Sequence, residues 1–429
     1  MDQIKKWTLY LMVLVAGFAT GIGTIGLFPQ MWLKYGITGL ALHAVFLAIL
    51  TYLAILETEK VMRSGYYFTE LYTKVSRKPG MILAIFAVGV MFLSYYTANT
   101  GLVLLSPVLG TGAVGRLIAK LIMIALTLVV ITRAKEKTFT IMAIGAFILV
   151  ILVPILVLLL KTQVPENAMF LSIAKNMLTA RKPISLEMLR AAAERALYGV
   201  GLGFGFYLML GSFINERFNP KLIIGTGVFI QFIIGLLSTL AVIYGVTPYR
   251  PEEFLIYANG GEEQAITLMG DLPEILSNHP MLLAFLGLTI FMAGLTSLLP
   301  AAEIGVQITE SLMKFGRSKA ALYFMGIVTV LGILDSPPSI ADMFLKAVTT
   351  SLLLTSIFEA YPIVIGKEKP GPIDLAVLVI SVTLFIAGFI AQVHHDIKLG
   401  GIYYASVVLA LFIGLLGIMG EKIVPQGPE

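Results

Sequence analysis

The feature that most constrains this chain is a series of apolar stretches, each about 20 residues long, that recurs along its whole length. A helix of about 20 apolar residues spans the ~30 Å hydrocarbon core of a lipid bilayer. Only 13% of the 429 residues are charged, whereas soluble domains average roughly 25%. The sequence therefore predicts an all-α polytopic membrane protein embedded in the lipid bilayer, and it excludes a soluble domain.

The apolar stretches predict about twelve transmembrane helices within a single domain, here numbered as segments 1 to 12. Segments 1–5 (about 8–160) form a first half, segments 6–10 (about 192–365) form a second half, and two additional helices follow at about 373–420. The predicted spans are 8–33, 37–61, 81–106, 116–132, 138–160, 192–214, 221–246, 281–313, 319–334, 340–365, 373–392 and 401–420.

The distribution of charged residues predicts the orientation of the chain. If the N-terminus is cytoplasmic, most of the 30 Lys and Arg residues fall on the cytoplasmic side, as the positive-inside rule requires. We therefore expect a multi-pass protein of the cell (plasma) membrane with both termini in the cytoplasm. The Lys and Arg residues of the cytoplasmic loops also account for the net charge of +5, so we expect no nucleic-acid partner. The outer loop 247–280 then carries the acidic residues Glu252, Glu253, Glu262, Glu263, Asp271 and Glu274.

Several kinds of chemistry are missing from the sequence. The chain contains no cysteine, which excludes disulfides, thiolate nucleophiles and cysteine metal sites. It also lacks the glycine-rich phosphate loop of ATPases and the motifs of common hydrolases. We therefore expect that the protein is not an enzyme, is not driven by ATP and uses no organic cofactor.

Two of the segments carry glycines at spacings that oppose a continuous helix. Segment 1 contains AGFATGIGTIGLFP at 16–29, and segment 6 contains YGVGLGFGF at 198–206. A glycine inside a helix costs about 1 kcal/mol relative to alanine, and free backbone groups in a membrane are tolerated only where they line a cavity or are buried in protein. Broken helices at corresponding places in two halves indicate an inverted-repeat transporter. The alternative is close helix packing through small residues.

Segment 8 places two hydroxyl side chains, Thr296 and Ser297, within an apolar run. Hydroxyls and freed backbone carbonyls are oxygen ligands that suit a hard cation and bury no net negative charge. The alternative is that both hydroxyls bond only to carbonyls of their own helix.

With these features the sequence resembles the neurotransmitter:sodium symporter family, whose members have the LeuT-type fold. The resemblance extends from segment 1 to about segment 10. It implies a 5+5 inverted repeat with unwound helices 1 and 6, and sodium-coupled import of an amino acid by alternating access. It also implies at least one bound Na⁺ and a monomer or homodimer. The stretches that carry it are AGFATGIGTIGLFP at 16–29, SYY at 94–96, GLGFG at 201–205 and FMAGLTS at 291–297.

The resemblance implies two sodium sites. Every group that the family's second site requires is present here. The first site departs from the family pattern, because Thr24 and Gly199 replace an asparagine and a threonine. The implied second-site residues are Gly17, Thr20, Ala293, Thr296 and Ser297, and the implied first-site residues are Ala19, Thr24, Gly199 and Gln231.

The resemblance also implies an amino-acid site. The amides of Ile22 and Gly23 and the hydroxyl of Tyr96 would bind the substrate carboxylate. Gly21 stands where the monoamine transporters carry an aspartate, which favours a substrate that brings its own carboxylate. The pocket is largely apolar, so a hydrophobic or aromatic amino acid is favoured. The implied residues are Ala19, Gly21, Ile22, Gly23, Phe92, Tyr96, Tyr198, Gly199, Gly201, Phe204, Ser297 and Ala301.

Two charged residues are candidates for an outer gate. The arginine that the family carries in segment 1 is Leu27 here. We predict that Arg195 replaces it and pairs with Asp342 when the outer gate closes. The alternatives are that Arg195 lies at the outer membrane surface and that Asp342 pairs with Lys346, four residues further along the helix.

Acidic residues in or near the apolar segments are candidates for ion coupling. The resemblance places Glu59 as the acceptor of hydrogen bonds from the freed amides of segment 6. Glu303 is the other candidate, and Glu310 with Lys5 or Lys6 is a possible inner gate. If Glu59 or Glu303 carries a proton, the alternative is a proton-coupled or exchanging amino-acid transporter of the same fold. A second alternative is an amino-acid sensor that does not transport.

Overall fold

The computed structural model describes residues 3–133, 135–164, 169–260, 262–365 and 369–420. Two basic residues counted on the cytoplasmic side, Lys367 and Lys422, lie outside these ranges. The orientation of the termini stays a prediction.

The first predicted segment is broken where its glycines cluster. Helix α1 (Gln3–Ala19) ends before Thr20, and helix α2 (Ile22–Ser64) begins after Gly21. α2 contains a sharp bend at Gly36, whose φ is 63° and ψ −154°. A Cβ at this position would lie 2.1 Å from the carbonyl oxygen of Ala180, so only glycine fits the bend. The predicted loop between segments 1 and 2 is thus a one-residue hinge, and α2 has a first arm before Gly36 and a second arm after it.

The remaining elements follow the predicted spans closely. Many of these helices begin with proline, which fits the first helical turn because its missing N–H needs no partner there. The long loops 162–190 and 247–280 contain short helices, as predicted for the second of them. The helices are α3 (Phe68–Glu70), α4 (Pro79–Leu109), α5 (Ala113–Ile131), α6 (Lys135–Lys161), α7 (Met169–Thr179), α8 (Leu186–Val200), α9 (Phe206–Phe213), α10 (Pro220–Val246), α11 (Pro251–Asn259), α12 (Glu262–Ile275), α13 (Pro280–Met313), α14 (Arg317–Leu334), α15 (Pro338–Glu359), α16 (Pro362–Ile365), α17 (Pro372–Leu399) and α18 (Tyr403–Met419).

Within the described ranges, nine helices are long and apolar enough to cross a membrane. Three features explain the difference from twelve predicted segments: segments 1 and 2 share α2, segment 6 is split into α8 and α9, and α18 is short. The all-α polytopic architecture is therefore as predicted from the sequence.

The two broken segments lie at the centre of the bundle. α1 packs against α6, α10 and α13, and α13 packs along α4. The last turns of α1, from Val13 to Ala19, are buried throughout. By contrast, only 17% of the apolar stretch of α17 is buried, so this helix presents most of its surface to lipid.

The break in segment 6 depends on three alternate glycines. α8 ends at Val200 and α9 begins at Phe206. Gly201, Gly203 and Gly205 between them have φ values of 83°, 90° and 82°, in the left-handed region that side chains with a Cβ avoid. The unwound stretch requires glycine at every second position, and this is the spacing that argues against a continuous helix in the sequence.

Gly203 offers a test of this break. A Cβ at Gly203 would lie 2.7 Å from the carbonyl oxygen of Leu352, so Gly203→Ala combines backbone strain with a steric overlap. We expect the substitution to destabilise the protein by about 2–4 kcal/mol. The measurement is the thermal unfolding midpoint of the detergent-purified protein.

The control is Gly89→Ala in α4, where an added Cβ meets nothing within 4 Å. Alanine there favours the helix by about 1 kcal/mol, so its midpoint should be unchanged or higher. Equal midpoints for the two variants would contradict the requirement for glycine at Gly203.

Candidate functional site

The break in segment 1 exposes the first amide of α2 to a tyrosine of segment 3. Gly21 is extended, with φ −78° and ψ 178°, and the amide of Ile22 donates to the hydroxyl of Tyr96 at 2.6 Å. A Cβ at Gly21 would lie 2.9 Å from that hydroxyl and 3.3 Å from Oγ of Ser297. Tyr96 and Ser297, both predicted site residues, therefore converge on the break.

The two hydroxyls of segment 8 reach across to the end of α1. Oγ1 of Thr296 donates to the carbonyl of Gly17 at 2.9 Å, and Oγ of Ser297 donates to the carbonyl of Phe18 at 3.2 Å. Both hydroxyls also contact the carbonyl of Ala293, at 3.0 and 3.3 Å. The alternative that these hydroxyls bond only to their own helix is therefore wrong.

Thr20 is the fifth residue of the implied second sodium site. Thr20 directly follows the last turn of α1 and is fully buried. Its hydroxyl has no hydrogen-bond partner among the described residues. A buried hydroxyl without a partner is costly, and a cation ligand set made of oxygens alone suits a hard ion. The residues present therefore fit a sodium ion.

The residues of the implied first site also lie together. The hydroxyl of Thr24 donates to the carbonyl of Ala19 at 3.2 Å and accepts from Nε2 of Gln231 at 3.2 Å. A Cβ at Gly199 would lie 3.2 Å from the same amide nitrogen. A small cavity of about 10 Å³ adjoins this cluster. Its lining residues are Gly23, Thr24, Phe28, Arg195, Tyr198, Gly199 and Gln231.

A large cavity of about 480 Å³ opens at the break of segment 1. Its aromatic wall is formed by Phe92, which stacks on Tyr96 with ring centroids 4.4 Å apart and lies 4.8 Å from Phe204. Ala301 is buried in α13 and is outside the lining of this cavity, because it lies one turn of helix further from the break than Ser297. The predicted substrate residues that line it are Gly21, Ile22, Gly23, Phe92, Tyr96, Tyr198, Gly201, Phe204 and Ser297.

The other end of this cavity is polar, and the sequence reasoning missed it. Lys120 of α5 forms an ion pair with Asp335 at the end of α14, and both side chains are buried. Lys120 also donates to the carbonyl of Gly332 at 2.9 Å. The available signal was a lysine inside the apolar segment 116–132. Polar and charged residues that line this end are Asn99, Arg116, Lys120, Asp335, Ser336, Ser339 and Asp342.

The residues predicted for the outer gate have other neighbours in this structure. The guanidinium of Arg195 lies 3.8 Å from Glu194 and 5.8 Å from the ring centroid of Tyr198. Asp342 accepts a hydrogen bond from the hydroxyl of Tyr403 at 2.5 Å. Arg195 borders the small cavity and Asp342 the large one. Their pairing in a closed state stays a prediction.

The role predicted for Glu59 was wrong. Glu59 lies 4.0 Å from Arg63 on the same helix, and the carboxylate that accepts from the Gly203 amide belongs to Glu359. Glu57, two residues before Glu59, is fully buried and within electrostatic range of Glu359. Two residues along a helix correspond to a rotation of about 200°. A shift of two positions in the sequence assignment therefore replaces the buried Glu57 with Glu59, which lies on the opposite face of the helix.

The other acids are held by basic residues near the predicted cytoplasmic side. Glu303 receives two hydrogen bonds from Arg317, at 3.0 and 2.6 Å, and one from Gln307 at 2.8 Å. Glu310 lies 3.6 Å from Lys135 of α6, and its pairing with Lys5 or Lys6 in an inner gate stays a prediction.

Comparison with known proteins identifies the fold. No protein-family model matches the sequence, and no curated protein matches it. Among solved structures, the crystal structure of MhsT in complex with L-phenylalanine superposes with a TM-score of 0.65. The match covers 90% of this chain and 98% of that chain, at 16% sequence identity. The similarity at this identity establishes the fold, which is the LeuT type that the resemblance in the sequence implies.

The buried ion pair between Lys120 and Asp335 allows a test of its contribution to stability. Lys120→Met or Asp335→Leu alone leaves a buried charge without its partner, and we expect a loss of about 3–5 kcal/mol. The double variant removes both charges and should lose much less. The measurement is a double-mutant cycle on thermal unfolding in detergent.

The exposed pair of Lys74 and Glu70, at 2.6 Å, provides a matched cycle. A solvated pair of this kind contributes about 0–1 kcal/mol. An equally small coupling energy between Lys120 and Asp335 would contradict the prediction that removing either charge leaves the other one buried without a partner.

Proposed function

We propose that this protein is a secondary active transporter that imports an amino acid together with sodium by alternating access. The observation that carries the proposal is the contact of the Thr296 and Ser297 hydroxyls with the carbonyls at the end of α1. These groups come from positions about 280 residues apart and meet at a helix break inside the membrane. Free backbone groups at this depth are tolerated where they line a cavity or are buried in protein. In inverted-repeat transporters, broken helices of this kind form the binding site.

A sodium ion at this cluster would join α1 to α13. It would replace direct hydrogen bonds with ion–oxygen contacts and would engage the unpartnered hydroxyl of Thr20. Because α1 and α13 must separate for the inner side of the site to open, the ion would bind the two states with different affinity. A differential affinity of this kind is the thermodynamic requirement for coupling.

The substrate would be held by the break itself. The amides of Ile22 and Gly23 lie at the N-terminus of α2, where free N–H groups and the helix dipole favour an anion such as a carboxylate. Tyr96 already bonds to the first of these amides. The aromatic wall around Phe92 and Phe204 supports an amino acid with a hydrophobic or aromatic side chain. MhsT was crystallised in complex with L-phenylalanine, which is consistent with this substrate class.

Removal of both hydroxyls tests the sodium site. We expect the double variant Thr296→Ala with Ser297→Ala to lose sodium-dependent amino-acid binding by about 100-fold or more, because two of the oxygen ligands disappear. The measurement is scintillation-proximity binding of a panel of radiolabelled amino acids to purified protein, in Na⁺ against K⁺ buffer.

Thr289→Ala is the control on the same helix, since its buried hydroxyl bonds to the Phe285 carbonyl at 2.7 Å within α13. It should bind like the unmodified protein. Sodium-dependent binding that survives in the double variant would refute the site, and binding indifferent to Na⁺ in the unmodified protein would refute sodium coupling.

A second candidate function is proton coupling, and it is supported by Glu57. Both carboxylate oxygens of Glu57 are buried without a hydrogen-bond partner in the described part of the chain. Glu57 also lies near Glu359, which holds the unwound stretch of segment 6. A carboxyl group in this position could take up and release a proton as segment 6 moves.

Glu57→Gln separates this candidate from sodium coupling. If a proton is transported, the substitution should abolish the response of uptake to an imposed pH gradient in proteoliposomes and leave binding intact. Glu59→Gln, on the outer face of the same helix, should leave the response unchanged. An unmodified protein that ignores the pH gradient would exclude the candidate.

A further inference from the structure

The small cavity beside segment 6 lies where the resemblance implies a first sodium ion. Three of the four residues implied for that ion, Thr24, Gly199 and Gln231, line the cavity, and Arg195 lines it too. Its volume of about 10 Å³ leaves room for little more than one water molecule, which requires about 10–15 Å³.

Most polar atoms at this position already have partners. The hydroxyl of Thr24 donates to the Ala19 carbonyl and accepts from Nε2 of Gln231. The exception is Oε1 of Gln231, on a side chain only 1% exposed, which has no hydrogen-bond partner among the described residues. The cavity therefore offers one unsatisfied acceptor, which calls for a hydrogen-bond donor.

A second cation is poorly served at this position. A hard cation takes several oxygen ligands at once. Among the side chains that line the cavity, those of Thr24, Tyr198 and Gln231 carry oxygen. The Tyr198 hydroxyl already donates to the Thr349 hydroxyl, and the Thr24 hydroxyl already donates to the Ala19 carbonyl. The guanidinium of Arg195, which stays protonated in proteins, borders the same space. Glu194, 3.8 Å from that guanidinium, is not among the lining residues.

The small cavity also adjoins the site proposed for the substrate carboxylate. Gly23, Thr24 and Tyr198 line both cavities. A positive charge at the small cavity therefore lies next to the amides proposed to hold the carboxylate.

We propose that the first site binds no sodium ion in this protein. A single water molecule occupies it and donates to Oε1 of Gln231, and the guanidinium of Arg195 supplies the positive charge that faces the substrate carboxylate. Transport is then coupled to one sodium ion, bound at the cluster of Thr296 and Ser297. This inference rests on the proposed sodium-coupled function and adds its ion stoichiometry.

The decisive measurement is the ratio of radioactive sodium to labelled substrate that enters proteoliposomes containing the unmodified protein. The expected ratio is one, with a Hill coefficient for sodium close to one. A ratio of two would overturn the inference and leave the proposed function intact. A ratio of zero would overturn both.

The role of Arg195 is tested by charge removal. Arg195→Gln should weaken substrate binding by about tenfold or more, because a charged partner of the carboxylate is lost, and Arg195→Lys should restore part of it. Arg190→Gln removes the same charge five residues earlier on α8 and should leave binding unchanged. Equal affinities for Arg195→Gln and Arg190→Gln would refute the role of the guanidinium.

Discussion

Two interruptions of the helical backbone inside the membrane determine how the rest of this structure is organised. Lipid cannot satisfy free N–H and C=O groups, so each group released at a break must meet a protein partner. The carbonyls of Gly17 and Phe18 meet hydroxyls of α13, and the amide of Ile22 meets Tyr96. The partners belong to helices far away in the sequence. The breaks therefore hold segments 1, 3 and 8 together as a single site.

The break in segment 6 is satisfied in a different way. The Gly203 amide donates to Glu359, and the carbonyl of Val200 accepts from the hydroxyl of Tyr207 at 2.6 Å. This break thus uses a carboxyl group as acceptor, whereas the break in segment 1 uses hydroxyl oxygens. A carboxylate binds an amide more strongly than a hydroxyl does. In the proposed function, the contacts at segment 1 would be the ones that an ion and a substrate replace.

The sequence predicts the breaks and most of the site because these features are local. Positive φ at Gly201, Gly203 and Gly205 reflects the lack of a Cβ, and the alternation of the three glycines is visible in the sequence. The pairing of Lys120 with Asp335 is not local: one residue lies near the middle of α5 and the other at the end of α14. Glu57 and Glu59 could be distinguished only by the helical rotation of segment 2, which depends on the one-residue hinge at Gly36. The cluster of oxygens around Thr296 and Ser297 could be predicted because a single short stretch, FMAGLTS, contains both hydroxyls.

The buried charges differ in what surrounds them, and this difference separates structural from functional positions. Asp335 forms an ion pair with Lys120, and Glu303 accepts two hydrogen bonds from Arg317. Pairs of this kind already compensate their own burial, so movement of a neighbouring helix would break them at a cost. Glu57 lies beside another carboxylate, with both oxygens lacking a hydrogen bond in the described structure. Arg195 borders a cavity of one-water size at the substrate break. We therefore expect the proposed transport to depend on a proton at Glu57 or on the charge of Arg195 beside the substrate break.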